Sequence, residues 1–304
     1  MRPATLQVRP RLVTKLTSGC PTLDRHLAGG FPFGSITEIS GESGVGKTQF
    51  CLQLALLTQL PPSLGGLSSS SLFLHSEFPF PSRRLHQIAQ SFLAVHRDVF
   101  SSHPSYNPLD CVFVHPLHTA DHLLDEMPRI ESFIESSRAS RLPVRLIVID
   151  SIAALFRSEF DNTPFDLKRR SSIFFKISGW LKSLAVKFDL AVIVTNQVVD
   201  LVGPSGGANG LRIGNLGCLN SSGRRVSPAL GLSWANCVNS RIFLSREEEL
   251  LVDQATGPVH RSNGETSVHG ARAIRRLHVI FSPHLPYSSC EFMIAREGIR
   301  GIER

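Results

Sequence analysis

The chain has 304 residues and a formal net charge of +7. Hydrophobic residues make up 42% and charged residues 19%, which excludes a largely disordered chain and indicates a globular protein with a substantial core. No apolar run approaches the roughly 18 residues of a membrane span, so we predict no membrane partner, and the basic charge only weakly favours an anionic partner such as nucleic acid.

The six cysteines are scattered without a Cys-x-x-Cys pair. This pattern argues against a disulfide framework or a zinc module and predicts reduced thiols in a protein of the nucleus or the cytoplasm. Residues 1–16 are predicted to be a short basic arm, because they contain no acidic residue and Pro3 and Pro10 interrupt any amphipathic transit helix. Residues 17–304 are predicted to form a single domain.

From Ser35 onward, short β-rich runs alternate with longer helical stretches. This alternation predicts an α/β fold with a mostly parallel central sheet flanked by helices. In chain order, strands are predicted at 36–40, 72–74, 112–114, 146–149, 190–195, 241–244, 276–282 and 290–294, and helices at 48–60, 83–95, 120–136 and 166–187. A Gly- and Asn-rich flexible loop is predicted at 199–225 and a polar surface insertion at 253–270.

The segment after the first of these strands carries the most specific signal in the chain. It reads Gly41-Glu42-Ser43-Gly44-Val45-Gly46-Lys47-Thr48, which fits the P-loop pattern G-x-x-x-x-G-K-[ST] between a predicted strand and an apolar helix. In such a loop the backbone N–H groups surround phosphates, the lysine contacts the β- and γ-phosphates, and the threonine hydroxyl faces Mg²⁺. The sequence therefore predicts a site for ATP and Mg²⁺.

Two acidic residues follow predicted parallel strands, whose carboxyl ends meet at one edge of the sheet. Asp150 follows the run 146–149, where it would either hold the Mg²⁺ water shell or cap the next helix; the P-loop favours the metal role. Glu77 follows the strand at 72–74 and is a candidate for orienting the attacking water, with a solvated loop acid as the alternative.

Several segments resemble the ATPase core of the eukaryotic RecA-type recombinases and their paralogues, and the resemblance runs from about Thr17 to Ile302. The matching segments are Gly19-Cys20-Pro21, Gly34 to Ile39, Ser76-Glu77 with Arg83-Arg84-Leu85, Leu146 to Arg157, and Thr195-Asn196-Gln197. The segments 156–161, 224–236 and 282–301 resemble one paralogue within that family.

The resemblance implies a RecA-like P-loop NTPase core. It also implies that Glu77 orients the attacking water, that Gln197 senses the γ-phosphate, and that Arg84 lies against the adenine, where a guanidinium can stack. The implied function is homologous-recombination repair of DNA double-strand breaks and meiotic recombination in the nucleus. The implied partners are the C-type recombinase paralogue in a heterodimer, the main strand-exchange recombinase, and single-stranded or branched DNA.

Two predicted loops carry basic residues that are candidates for contact with the DNA backbone. The first spans about 157–170 and the second is 199–225. The candidates are Arg157, Lys168 and Arg169 in the first loop and Arg212, Arg224 and Arg225 in the second. For the cluster at 168–170, the solvated start of a helix is an equal alternative.

The chain also departs from the recombinases that it resembles. Residues 1–16 leave no room for their helical N-terminal domain and contain no Phe-x-x-Ala self-assembly motif. Trp234 replaces a histidine of their subunit interface, and Phe281 replaces an aspartate of the cap over a neighbour's ATP. These differences predict an ATP-gated assembly factor with weak DNA-dependent hydrolysis in a complex. The alternatives are a self-sufficient DNA-dependent ATPase or strand-exchange recombinase and a hexameric helicase-type motor.

Overall fold

A computed structural model describes most of the chain. The described residues are 15–77, 79–101, 105–157, 160, 163–201, 219–250 and 271–303. Nearly all of the predicted basic arm, the centre of the second predicted DNA loop with Arg212, and the predicted insertion at 253–270 lie outside them.

The described chain alternates strands and helices. The strands are β1 (Lys15–Leu16), β2 (Phe31–Pro32), β3 (Ser35–Gly41), β4 (Ser70–His75), β5 (Val112–Pro116), β6 (Val144–Asp150), β7 (Ala191–Asn196), β8 (Val198–Asp200), β9 (Leu219–Ser221), β10 (Arg224–Pro228), β11 (Ser240–Leu250), β12 (Ala271–Phe281), β13 (Ser288–Ala295) and β14 (Gly298–Gly301). The helices are α1 (Pro21–His26), α2 (Lys47–Leu57), α3 (Ser82–Val95), α4 (Arg97–Phe100), α5 (Ala120–Ser137), α6 (Pro164–Lys187) and α7 (Gly231–Ala235), with short 3₁₀ turns at Pro62–Leu64, Pro108–Cys111 and Ala154–Phe156.

Nine strands form one sheet in the order β14-β13-β12-β11-β3-β7-β6-β4-β5. The six strands from β11 to β5 pair in parallel, and β12, β13 and β14 extend the sheet antiparallel. The predicted mostly parallel sheet is therefore confirmed. The carboxyl ends of β3, β4, β6 and β7 lie at the same edge, and this edge carries the predicted site residues.

The sheet is covered on both faces, and β6 shows how the sequence achieves this. Leu146 and Val148 belong to the apolar cluster that includes α2 and α3, whereas Ile147 and Ile149 belong to the cluster that includes α5 and α6. Successive side chains of a strand point to opposite faces, so a strand covered on both sides favours apolar residues at consecutive positions. This preference explains the uninterrupted apolar run that predicts β6.

The helix and strand predictions from 36 to 195 are confirmed, with shifts of a few residues at their ends. The predicted helix at 48–60 ends at Leu57, and the chain continues in turns in which the N–H groups of Gln59 and Leu60 donate to carbonyl oxygens three residues earlier. Both α5 and α6 begin at a threonine whose hydroxyl accepts a hydrogen bond from a first-turn N–H group.

The predicted loop at 199–225 is wrong at both of its ends. β8 and β9 flank β10 in a small antiparallel sheet, and the turn between β9 and β10 consists of Ser222 and Gly223. Both residues have positive φ, 50° and 70°, as the two-residue turn of a β-hairpin requires. The Ser-Gly dipeptide was the available signal, but strands of three to five residues are too short for an apolar pattern.

Among the described residues, no helix combines the length and apolar character that crossing a membrane requires. The prediction of one domain over 17–304 stays a prediction.

Candidate nucleotide site

The P-loop connects the end of β3 to the start of α2. Gly44 and Gly46 have φ values of 75° and 120°, which side-chain-bearing residues rarely adopt. A Cβ atom at position 46 would also lie 3.0 Å from the Cδ1 atom of Ile294. Gly46 therefore meets both a conformational and a steric requirement, whereas Gly44 meets a conformational one alone.

Lys47 begins α2, and its side chain is buried. Its Nζ donates hydrogen bonds to the carbonyl oxygens of Gly41 and Glu42, each at 2.8 Å. Burial lowers the pKa of Lys47, and the charges of Asp150 and Glu77 partly offset that effect. The ammonium group thus lies inside the loop, where the phosphates of a nucleotide would bind.

Asp150, at the carboxyl end of β6, connects the P-loop to the neighbouring strand. Its Oδ2 accepts a hydrogen bond from Thr48 Oγ1 at 2.7 Å, and its Oδ1 accepts one from Thr195 Oγ1 at 2.6 Å. A carboxylate and two hydroxyls are oxygen donors of the kind that Mg²⁺ prefers. The structure therefore fits the predicted metal residues and adds Thr195, which sequence reasoning did not single out.

Glu77 and Gln197 lie beside this oxygen cluster. Gln197 Nε2 donates to Glu77 Oε1 at 2.5 Å, so the predicted water-orienting carboxylate and the predicted γ-phosphate sensor are in direct contact. Arg157 joins them, because its Nη2 lies 3.5 Å from Glu77 Oε1 and also bonds Gln197 Oε1. Arg157, which is predicted to contact DNA, therefore contacts two residues of the nucleotide site.

Most of these side chains line one cavity of about 240 Å³. Its lining residues are Ser43, Gly44, Gly46, Lys47, Thr48, Gln49, Glu77, Asp150, Ser151, Gln197 and Ile294. Arg84 lies beside this cavity: its Nε donates to Gln49 Oε1 at 2.6 Å, and its Nη2 donates to the carbonyl oxygen of Ala295 at 2.6 Å. These bonds fix the guanidinium near the cavity, and they fit the predicted adenine contact without testing it.

Glu42, the second residue of the P-loop, holds the β9–β10 hairpin. Its carboxylate accepts hydrogen bonds from Ser221 at 2.8 Å, Ser222 at 2.5 Å and Arg224 at 3.0 Å. Burial raises the pKa of Glu42, but these hydrogen bonds and the charge of Arg224 outweigh burial and lower it overall. The P-loop and the end of the second predicted DNA loop are thus one hydrogen-bonded unit.

The other predicted DNA residues differ in their surroundings. Arg224 also pairs with Asp200 at 3.0 Å, which neutralises part of its charge. Arg169 pairs with Asp121 at 2.5 Å, and its guanidinium lies 5.4 Å from the centre of the Phe160 ring. Arg169 and the exposed Lys168 lie in the first turns of α6, as the alternative interpretation of that cluster expected.

A fully buried ion pair lies behind the site, and sequence reasoning missed it. Glu38 of β3 accepts hydrogen bonds from Arg241 of β11 and, at 2.5 Å, from Asn196 of β7. Relative exposure of the two charged side chains is 0% for Glu38 and 1% for Arg241. Because Asn196 precedes Gln197, this pair helps to position the predicted sensor.

Trp234 and Phe281 are the two positions at which the chain departs from the recombinases, and both side chains pack in or against the core. Trp234 has 0% exposure, and its ring packs on Phe174 with the ring centres 5.4 Å apart. Phe281 is half-buried and lies over the guanidinium of Arg241, 5.3 Å away. In this chain, therefore, the Trp234 ring contacts its own core rather than a surface.

The fold and the site together define the class of protein. A P-loop between β3 and α2, with Asp150 and Gln197 at the ends of neighbouring parallel strands, is the arrangement of a RecA-like P-loop NTPase.

Comparison with known proteins narrows that class. The model of the Rad51 family matches residues 9–212. A DNA repair protein XRCC3 homolog of Arabidopsis thaliana is 56% identical over 303 residues, which are 100% of this chain and 98% of that protein. DNA repair protein XRCC3 of Mus musculus is 33% identical over 96% of this chain and 77% of its own length. The chain belongs to the Rad51 family.

A second branch of relatives is also similar. DNA repair protein RAD51 homolog 2 of Mus musculus is 36% identical over 236 residues, which are 73% of this chain and 63% of that protein. The family model covers residues 9–212, which include the P-loop, Asp150 and Gln197.

The buried pair makes a testable contribution to stability. Arg241→Met leaves the Glu38 carboxylate buried without its cation, so we expect the free energy of unfolding to fall by about 3–5 kcal/mol in urea denaturation. Adding Glu38→Gln should recover part of this loss, because the neutral amide oxygen still accepts from Asn196.

Arg300→Met is the matched control, since Arg300 forms an exposed pair with Glu297 at 3.1 Å. It should change stability little, because exposed pairs contribute little. An Arg241→Met protein as stable as the Arg300→Met protein would contradict the role given to the buried pair.

Proposed function

We propose that the chain is an ATP-binding recombinase paralogue that acts in homologous-recombination repair of DNA double-strand breaks and in meiotic recombination. The observation that carries this proposal is the full set of nucleotide-site residues in a Rad51-family chain. Two relatives that match nearly the whole chain are named DNA repair proteins. The nucleus is the compartment that this function requires.

ATP and Mg²⁺ are the proposed ligands. Lys47 and the P-loop N–H groups would hold the phosphates, and Thr48 and Asp150 would hold the ion. Bound Mg²⁺ neutralises developing phosphate charge. Glu77 is placed to orient a water molecule, and Gln197, in contact with it, is placed to respond to the nucleotide.

The proposed role of the nucleotide is to close a subunit interface rather than to drive a motor. The partner we propose is the C-type recombinase paralogue in a heterodimer, which would assist the main strand-exchange recombinase on single-stranded or branched DNA. Similarity to RAD51 homolog 2 supports the class of paralogues as the source of partners. Phe281 supports slow turnover, because it provides no carboxylate where the recombinase cap has one.

The rival function is a self-sufficient DNA-dependent ATPase or strand-exchange recombinase. The contact between Glu77 and Gln197 favours it, because both residues that hydrolysis requires are present and adjacent. A pull-down followed by ATPase assays, with and without the C-type paralogue and with and without single-stranded DNA, separates the two. Recombinase-like turnover and filaments of the chain alone would reject the assembly-factor proposal.

Removal of the Lys47 ammonium group tests whether ATP binding strengthens the interface with the partner subunit. We expect Lys47→Ala to abolish ATP binding and to weaken association with the partner paralogue, because a ligand that binds only the assembled form stabilises it. Titration calorimetry for ATP and co-purification for the complex measure the two effects. Lys176→Ala, an exposed lysine on α6, is the control. A Lys47→Ala complex that assembles as well as the wild type would reject ATP gating.

Arg157 tests the connection between the first predicted DNA loop and catalysis. Its guanidinium competes for Glu77 and Gln197, so Arg157→Ala should raise DNA-independent ATP hydrolysis by up to about fivefold, the factor that an exposed ion pair of ~1 kcal/mol corresponds to. Steady-state phosphate release measures this rate.

Arg138→Ala removes a similar exposed pair, with Glu135 at 3.2 Å on α5, and should leave the rate unchanged. A lower or unchanged rate in Arg157→Ala would show that Arg157 does not restrain the two residues.

A further inference from the structure

Three side chains that can bind metal ions converge where β5 meets α5. His115 lies on β5, the edge strand of the nine-stranded sheet, and His122 and Glu126 are one turn apart on α5. His115 Nε2 lies 3.5 Å from Glu126 Oε2, and His122 Nε2 lies 3.9 Å from Glu126 Oε1. One ligand atom from each residue lies within 4.8 Å of the others.

The separation of these atoms suits a shared ion better than direct hydrogen bonds. His115 Nε2 is buried and has no hydrogen-bond partner among the described residues, although the Glu126 carboxylate is 3.5 Å away. Zinc bonds nitrogen and oxygen ligands at about 2.0–2.2 Å, so the ligand atoms of a tetrahedral site lie about 3.3 Å apart. The distance from His115 to Glu126 is close to that value.

We propose that His115, His122 and Glu126 form a binding site for one divalent transition-metal ion of the zinc class. Two imidazoles and a carboxylate are a common ligand set for such ions, and they leave a fourth position for water. The Glu126 side chain is only 10% exposed and contacts Arg129 and His115, so its carboxylate group is already held in position at the site.

Two existing contacts compete with the ion. Arg129 Nη1 donates to Glu126 Oε1 at 2.7 Å, but the Arg129 side chain is 80% exposed and is able to turn into solvent. The backbone N–H of His118 lies 3.3 Å from His122 Nδ1. Binding through Nε2 moves the ring proton of His122 to Nδ1 and gives up that one long, exposed hydrogen bond.

The site is separate from the nucleotide site, because β4 lies between β5 and the strand that carries Asp150. An ion held here joins the edge strand to the helix that covers it. A ligand that binds only the folded chain stabilises that chain. The ion should therefore raise the midpoint of thermal unfolding without any change in the P-loop.

The test uses the full chain without a polyhistidine tag, in complex with its partner paralogue if the chain requires one. After chelator treatment, titration with Zn²⁺ should give one bound ion per chain, and Co²⁺ should give the visible absorption of a low-symmetry site. His122→Ala and Glu126→Gln should each weaken binding at least roughly tenfold, because changes that only support a ligand already cost about 10–100-fold.

Two further variants keep the result interpretable. His86→Ala removes an exposed histidine of α3 and should leave Zn²⁺ binding unchanged. Arg129→Gln removes the cation that competes for Glu126 and replaces none of the three ligands, so it should tighten binding by about fivefold, the factor that an exposed ion pair corresponds to. Absence of stoichiometric binding, or equal affinity in wild type, His122→Ala and Glu126→Gln, would overturn the proposal.

Discussion

The buried charge of Glu38 is the constraint on which the centre of the sheet depends. A carboxylate removed from water requires a cation and hydrogen-bond donors, and Glu38 finds them in Arg241 and Asn196. Glu38 lies on β3, Asn196 on β7 and Arg241 on β11, so satisfying one charge brings the three central strands to one register. The residues that follow these strands, including the P-loop and Gln197, take their positions from that register.

Two further groups of hydrogen bonds, made by Asp150 and by Glu42, connect the P-loop to neighbouring elements. Asp150 connects the start of α2 to the end of β7 through hydrogen bonds with Thr48 and Thr195, and the oxygen atoms of Asp150 and Thr48 are the predicted metal ligands. Glu42 connects the same P-loop to the β9–β10 hairpin through Ser221, Ser222 and Arg224. The P-loop and the described end of the second predicted DNA loop are therefore joined by side chains in direct contact.

Most of the parallel core could be predicted from the sequence, because buried parallel strands contain apolar runs such as 146–149 in β6 and the P-loop has a fixed spacing. The β8-β10-β9 sheet could not, since strands of three to five residues carry no periodic pattern. The Glu38–Arg241 pair was also missed, because its partners are 203 residues apart in the chain and a single glutamate in a strand has no distinguishing spacing. Asp150 and Glu77 could be predicted as site residues, because each follows a strand that the sequence pattern identifies.

The position of Phe281 explains how a departure from the recombinase pattern fits the same core. Its ring lies over the face of the Arg241 guanidinium, whose Nη2 has no hydrogen-bond partner among the described residues. An aspartate at that point would bring a second carboxylate to the cation that Glu38 needs. A phenylalanine contacts the same cation through its π face and leaves the Glu38 pair intact. The substitution thus removes a charge from the end of β12 while it preserves the buried pair behind the sensor strand.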